Sequence, residues 1–275
     1  MKKRIFWFLS IFIILSSCKK DEPFDASLTK KLMLKSVFTG STYPIYIVLP
    51  ENYDSGNKYE TLYSLDGDDD LNGIKIYEQL GWACKQASSV YNKQNVIVVA
   101  IGSLGQNERF RDYSPLPNLG NPKGVGGGSE NYAGFILSEL IPKIQREYSV
   151  DTTPESRIII GHSLGGTFTG FMFTKHPEVF ANYLTLSPAF YWGNGTILEY
   201  EKETRILNSS QKSLVYVSCG EFEEGIRILA KEWQYRLDTY YPNCTTDFHE
   251  VSNTGHISSA KESINKSIDF YFKNK

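Results

Sequence analysis

The stretch Ile158-Ile159-Ile160-Gly161-His162-Ser163-Leu164-Gly165-Gly166 decides how this chain is read. Three successive β-branched residues with no polar alternation suit a strand buried on both faces, the pattern of a parallel sheet. Leu164 to Lys175 continues with helical character. A serine therefore stands between a strand and a helix, with a glycine two residues to either side. So sharp a turn leaves no room for flanking side chains, and the glycines let strand and helix approach. The hydroxyl is then exposed above the sheet edge. The helix N-terminus directs its free amides to the same point, which favours developing negative charge there.

The chain on either side alternates between strand and helix patterns. Upstream, Leu32 to Phe38 and Tyr43 to Leu49 read as a hairpin about Thr39-Gly40-Ser41. Thr61 to Leu65 is a short strand ending in Asp66-Gly67-Asp68. Gly73 to Tyr91 places Ile76, Leu80, Ala83 and Ala87 on one helical face, and Val96 to Ile101 is apolar on both faces. Phe135 to Tyr148 reads as a helix kinked at Pro142. Downstream, Tyr183 to Leu186, Leu214 to Val217 and Phe248 to Val251 are strands, and Glu224 to Tyr240 and Ser258 to Phe272 are helices. This order predicts an α/β fold: a mostly parallel central sheet, an N-terminal antiparallel hairpin, and helices on both faces. Gln106 to Asn131, rich in Gly, Pro and Asn, reads as one long loop, of a length that usually serves function.

Bulk composition sets limits. A chain of 275 residues with 41% hydrophobic residues suits one domain with an ordinary core, assigned to 30–275. The net charge of −2 lacks the basic excess of a nucleic-acid binder. Lys2, Lys3 and Arg4 precede the apolar run Ile5 to Leu15, which has the length of a signal-peptide core. Leu15-Ser16-Ser17-Cys18 resembles a bacterial lipobox. Residues 1–17 are thus expected to be removed, with a lipid on Cys18 and a tether over 18–29. Loss of three basic residues leaves 26 against 31 acidic ones. The expected location is the bacterial cell envelope, with outer-membrane lipid as a partner through Cys18. Cys84, Cys219 and Cys244 remain, an odd number, so at least one thiol is free; a Cys84–Cys244 bridge is open. No His/Cys cluster points to a metal, and no cofactor is expected.

The strand–G-x-S-x-G–helix arrangement resembles the nucleophile elbow of α/β-hydrolases, whose site residues follow in the order Ser, acid, His. Ser163 is the expected nucleophile. Of four histidines, His162 lies inside the elbow pointing away from the hydroxyl, His176 ends a helix, and His249 lies in the last strand. His256 follows that strand in a loop and is the expected base. Gly220-Glu221-Phe222-Glu223-Glu224 follows the preceding strand and offers Glu223 as acid, then Glu221, then Glu224. The oxyanion donors should be the amide of Leu164 and that of Gly67 or Asp68.

Further segments resemble the putative esterase family, which includes S-formylglutathione hydrolases (esterase D), feruloyl esterases and siderophore-trilactone esterases. They are Leu62-Tyr63-Ser64-Leu65-Asp66-Gly67, Arg111-Asp112-Tyr113-Ser114-Pro115, Glu139-Leu140-Ile141-Pro142 and Ser187-Pro188-Ala189-Phe190-Tyr191-Trp192. The resemblance implies a metal-free carboxylic-ester hydrolase, with Arg111 and Trp192 as candidate pocket residues. With an export signal, acyl or feruloyl esters of glycans or a siderophore lactone are the expected substrates. An acyltransferase on the same scaffold and a non-catalytic surface binder of glycan or siderophore are the rival readings.

Overall fold

The computed structural model describes residues 24–71, 73–117 and 125–275. The expected export segment and Cys18 lie outside the described residues. Eight strands form one sheet in the order β1-β2-β4-β3-β5-β6-β7-β8. They are β1 (Thr29–Lys35), β2 (Thr42–Val48), β3 (Thr61–Ser64), β4 (Ile97–Ile101), β5 (Arg157–His162), β6 (Asn182–Leu186), β7 (Leu214–Gly220) and β8 (Thr245–Val251). β1 pairs antiparallel with β2 and β2 with β4, and every pairing from β4 to β8 is parallel. The hairpin begins at Thr29, three residues before the sequence pattern shows it.

Burial follows the pleat. In β4, Ile97, Val99 and Ile101 face one core, while Val98 and Ala100 face the other. The second core is closed by α1 (Ile76–Val90) and α8 (Ala260–Asn274), through Leu80, Cys84, Ile264 and Ile268. The first and larger core lies under α2 (Gln106–Tyr113), α3 (Ser129–Phe135), α4 (Ile141–Glu147), α5 (Leu164–Lys175), α6 (Thr196–Asn208) and α7 (Glu224–Tyr240). Phe135, Phe168 and Phe180 in it are fully buried. Truncating such a phenylalanine to alanine typically costs about 3–5 kcal/mol.

Three elements differ from the sequence pattern. The expected 106–131 loop holds α2 and the start of α3. α6 lies where the sequence pattern shows no element, between the strands at Tyr183 and Leu214. The helix expected from Phe135 begins at Ser129, and ahead of Pro142 it holds a π turn over Ile136–Leu140, where the Ile141 amide reaches back to the Ile136 carbonyl. Proline has no N–H and its ring crowds the carbonyl of Ser138, so the helix widens there. The Cys84–Cys244 bridge is absent: all three described cysteines are free. Cys84 lies on α1 under the second core, and Cys244 precedes β8 at the far sheet edge.

Candidate active site

The parallel strands all end on one edge of the sheet, and the loops leaving that edge carry the candidate residues. At the end of β5 the chain turns into α5 through Ser163, at φ 62° and ψ −119°. A non-glycine residue with positive φ is strained by about 1–3 kcal/mol and persists where its surroundings over-determine it. The glycines make the turn possible. A Cβ on Gly161 would lie 2.4 Å from the Gly165 backbone, and one on Gly166 would lie 2.9 Å from the Leu186 carbonyl. The Ser163 amide donates to that same carbonyl at 3.0 Å, pinning the turn to β6.

The loop after β8 brings His256 to the serine across 93 positions of sequence: Ser163 Oγ–H donates to His256 Nε2 at 2.8 Å. His256 Nδ1–H donates to Glu223 Oε1 at 2.6 Å. The Glu223 carboxyl is buried and also accepts the Gly220 amide at 2.8 Å. Burial pushes its pKa up, but the bonds from His256, Gly220 and Ser187 outweigh that and hold it below the ordinary glutamate value. The other two glutamates lie elsewhere. Glu221 accepts the Asn253 amide at 2.7 Å, bracing the loop after β8, and Glu224 is exposed at the first turn of α7. The sequence pattern offered all three; the turn at Gly220 brings only Glu223 to the imidazole.

His162 does more than point away from the hydroxyl. A carbonyl can only accept, so the 3.0 Å contact is His162 Nε2–H donating to the backbone oxygen of His256. The two rings also pack at 4.7 Å. Burial, helped by the His256 charge, pushes the His162 pKa down to about 3, so this ring stays neutral. It pins the loop that carries His256.

Of the expected oxyanion donors, Leu164 opens α5, where first-turn amides have no helical acceptor. The Gly67 amide is not available. It donates to the Ile101 carbonyl at 2.8 Å, and Gly67 must be glycine because a Cβ would sit 2.4 Å from that of Ala100. Asp68 is the second central residue of the same turn, which the Asp69 amide closes onto the Asp66 carbonyl at 3.0 Å. Among the described residues the Asp68 amide has no acceptor.

The pocket expectation for Arg111 is corrected. Its guanidinium pairs with Asp112 at 2.7 Å and reaches Ser41 at 3.0 Å and Tyr43 at 3.2 Å, bracing the hairpin. Two residues along a helix lie about 200° apart, so Arg109, not Arg111, faces the elbow. Arg109 forks the Asp66 carboxylate at 2.9 and 2.8 Å and reaches the His162 carbonyl at 3.3 Å. An arginine beside other polar residues in a short helix gave no signal of this. Trp192 stands on the loop after β6, stacked on Phe110 with ring centres 4.9 Å apart. Exposed apolar side chains flank the relay in sequence: Phe222 precedes Glu223 and Ile257 follows His256, and Tyr191 is exposed on the loop after β6.

Donor atoms of His162, Glu223 and His256 lie within 4.8 Å of one another, a spacing compatible with metal ligation. In this arrangement they are hydrogen-bonded among themselves and to Ser163. The chemistry the geometry can perform is proton transfer from Ser163 to an imidazole whose far nitrogen is held by a carboxylate.

The family profile described as "Putative esterase" matches residues 36–234. The ferri-bacillibactin esterase BesA of Bacillus subtilis (strain 168) is 26% identical over 264 residues, covering 88% of this chain and 89% of the relative. The crystal structure of the BES protein from Bacillus cereus superposes with a TM-score of 0.79 at 26% identity, covering 91% of this chain and 97% of that one. Siderophore hydrolase EstA from Aspergillus nidulans shares the fold, with a TM-score of 0.80 at 19% identity over 98% of this chain and 100% of its own.

Proposed function

The chain belongs to the putative esterase family, and from that premise we propose that it is a serine carboxylic-ester hydrolase working through an acyl-enzyme. The observation that carries the reading is the unbroken relay Ser163–His256–Glu223, at 2.8 and 2.6 Å. His256 Nε2 takes the Ser163 proton as the oxygen attacks the ester carbonyl. Glu223 holds the ring in the tautomer that leaves Nε2 free and stabilises the imidazolium that forms. The carbonyl oxygen becomes negative against the amides of Leu164 and Asp68. His256 then protonates the leaving alcohol, activates a water against the acyl-enzyme, and returns its proton to Ser163 as the acid departs. The His256 side chain is 35% exposed, so water reaches it directly.

The substrate we infer is an ester with bulky apolar or aromatic flanks, a siderophore lactone or a feruloyl-type ester. Support comes from the exposed Phe222 and Ile257 next to Glu223 and His256 and from the named activity of BesA. Attachment to the cell envelope through Cys18 belongs to the same proposal, and the mass of the mature N-terminal peptide tests it. For the chemistry, Ser163→Ala should lower kcat on a chromogenic ester by about four to six orders of magnitude. A fluorophosphonate should label Ser163. Near-normal hydrolysis by Ser163→Ala would end the proposal.

A further inference from the structure

Arg109 is outside the reacting relay, yet it lies between the two segments that carry the oxyanion donors. We infer that Arg109 is a positioning residue for the oxyanion hole, its guanidinium locking the Asp66–Asp69 turn to the elbow so that the Asp68 and Leu164 amides converge on one point. The inference rests on the ester-hydrolase reading above.

Among the non-glycine residues with positive φ at this edge are Asp66 at 52° and Ser163 at 62°. Each shortly precedes an oxyanion donor, and each strained conformation needs outside support. Arg109 supports both. Its Nε and Nη2 fork the Asp66 carboxylate, and Nη2 also reaches the carbonyl of the peptide joining His162 to Ser163, at 3.3 Å. The other hydrogen bonds of the turn's Gly67–Asp69 part lead away from the elbow. The Gly67 amide goes to Ile101, the Asp68 carboxylate accepts the Ser103 amide, and the Gly67 and Asp69 carbonyls accept the amides of Tyr77 and Ile76. These fix the turn to β4 and α1. Arg109 adds a side-chain tie to β5.

The clamp is built for rigidity. The Arg109 and Asp66 side chains are only 13% and 4% exposed. The guanidinium lies 5.4 Å above the Tyr113 ring, and the Tyr113 hydroxyl accepts the Asp66 amide at 3.3 Å. A planar fork with five donors can hold a carboxylate and a carbonyl together; a lysine ammonium is a point charge and cannot reproduce the fork.

Arg109→Lys tests this, together with the neutral double variant Asp66→Asn/Arg109→Gln, which leaves no buried charge unpaired. Activity is referred to native molecules counted by Ser163 active-site titration. Expected for both are a kcat lower by about 10–100-fold, a KM within about threefold, and inhibition by phenylboronic acid weakened by the same factor as kcat. That probe forms a tetrahedral adduct on Ser163 and reads the oxyanion hole. The acid limb of the pH profile should not move, because the His256–Glu223 pair is untouched. A purely structural Arg109 would lower the melting temperature while kcat per native molecule and boronate affinity stayed at wild type; that result overturns the inference. Retained hydrolysis by Ser163→Ala would instead overturn the function, so the two failures are separable.

Discussion

Glu221, Glu223 and Glu224 carry the same carboxylate within four positions, and their backbone placement separates them. Only Glu223 folds back under the Gly220 amide and meets His256 Nδ1. Glu223→Gln should therefore lower kcat by about 10²–10⁴-fold, while Glu221→Gln stays within a few-fold of wild type in steady-state kinetics. The pH profile follows from the same environment. Glu223 is held below the ordinary glutamate range and His162 is pushed down to about 3, so neither titrates near neutral pH. The acid limb of kcat/KM should then have a slope of one, with no second ionisation from Glu223 or His162. A limb with a slope of two would contradict this. His162 also ties stability to pH. Between its ordinary value of 6.5 and about 3 the unfolded chain binds a proton that the folded chain does not. Folding stability from this group is full above pH 6.5 and drains as pH falls, with a slope of up to about 1.4 kcal/mol per unit. Denaturant melts of His162→Gln against wild type should show a shallower loss over that window.

At the scale of elements, α6 was illegible for a physical reason. Its inward face holds the charged Glu201, while its outward face shows Ile206 and Leu207, 89% and 80% exposed. Ile197 and Leu198 are buried at its first turn only, so the apolar residues form no single stripe. The helix is held by polar contacts. Glu201 is fully buried, forked by Arg205 at 2.7 and 2.8 Å, and met by Arg236 of α7 at 3.0 Å and Tyr241 at 3.1 Å. Burial raises its pKa, but the two arginines outweigh that and keep it charged. Glu201→Ala takes the carboxylate from Arg205, leaves Arg236 with Glu232 and the Leu198 carbonyl, and should cost about 3–5 kcal/mol in chemical denaturation; a loss under 1 kcal/mol would show that the network contributes little. α2 hid for another reason. Its buried residues Asp112 and Tyr113 sit at one end, so eight residues of mostly polar sequence gave no period to detect.

At the scale of the molecule, the sheet order keeps Cys84 and Cys244 apart and seals Cys219 inside β7. Burial pushes the Cys219 thiol up to about 12 and Cys244 to about 11, and raises Cys84 as well. A thiol reagent at neutral pH should react slowly with the folded domain and fully once it is unfolded, and reductant should leave the melting temperature unchanged; a shift on reduction would reveal a bridge. By itself the sequence determined the strands apolar on both faces, the glycine-flanked elbow at Ser163 and the loop that offers His256. Those follow from local rules: pleat periodicity, the small-residue demand of a tight turn, and the position of a residue between two elements. Only the tertiary structure decided that Glu223 is the carboxylate at the imidazole, that Gly67 gives its amide to β4, and that Arg109 faces the elbow while Arg111 faces the hairpin. Each of those depends on where separate strands end relative to one another, a distance that no short window of sequence contains.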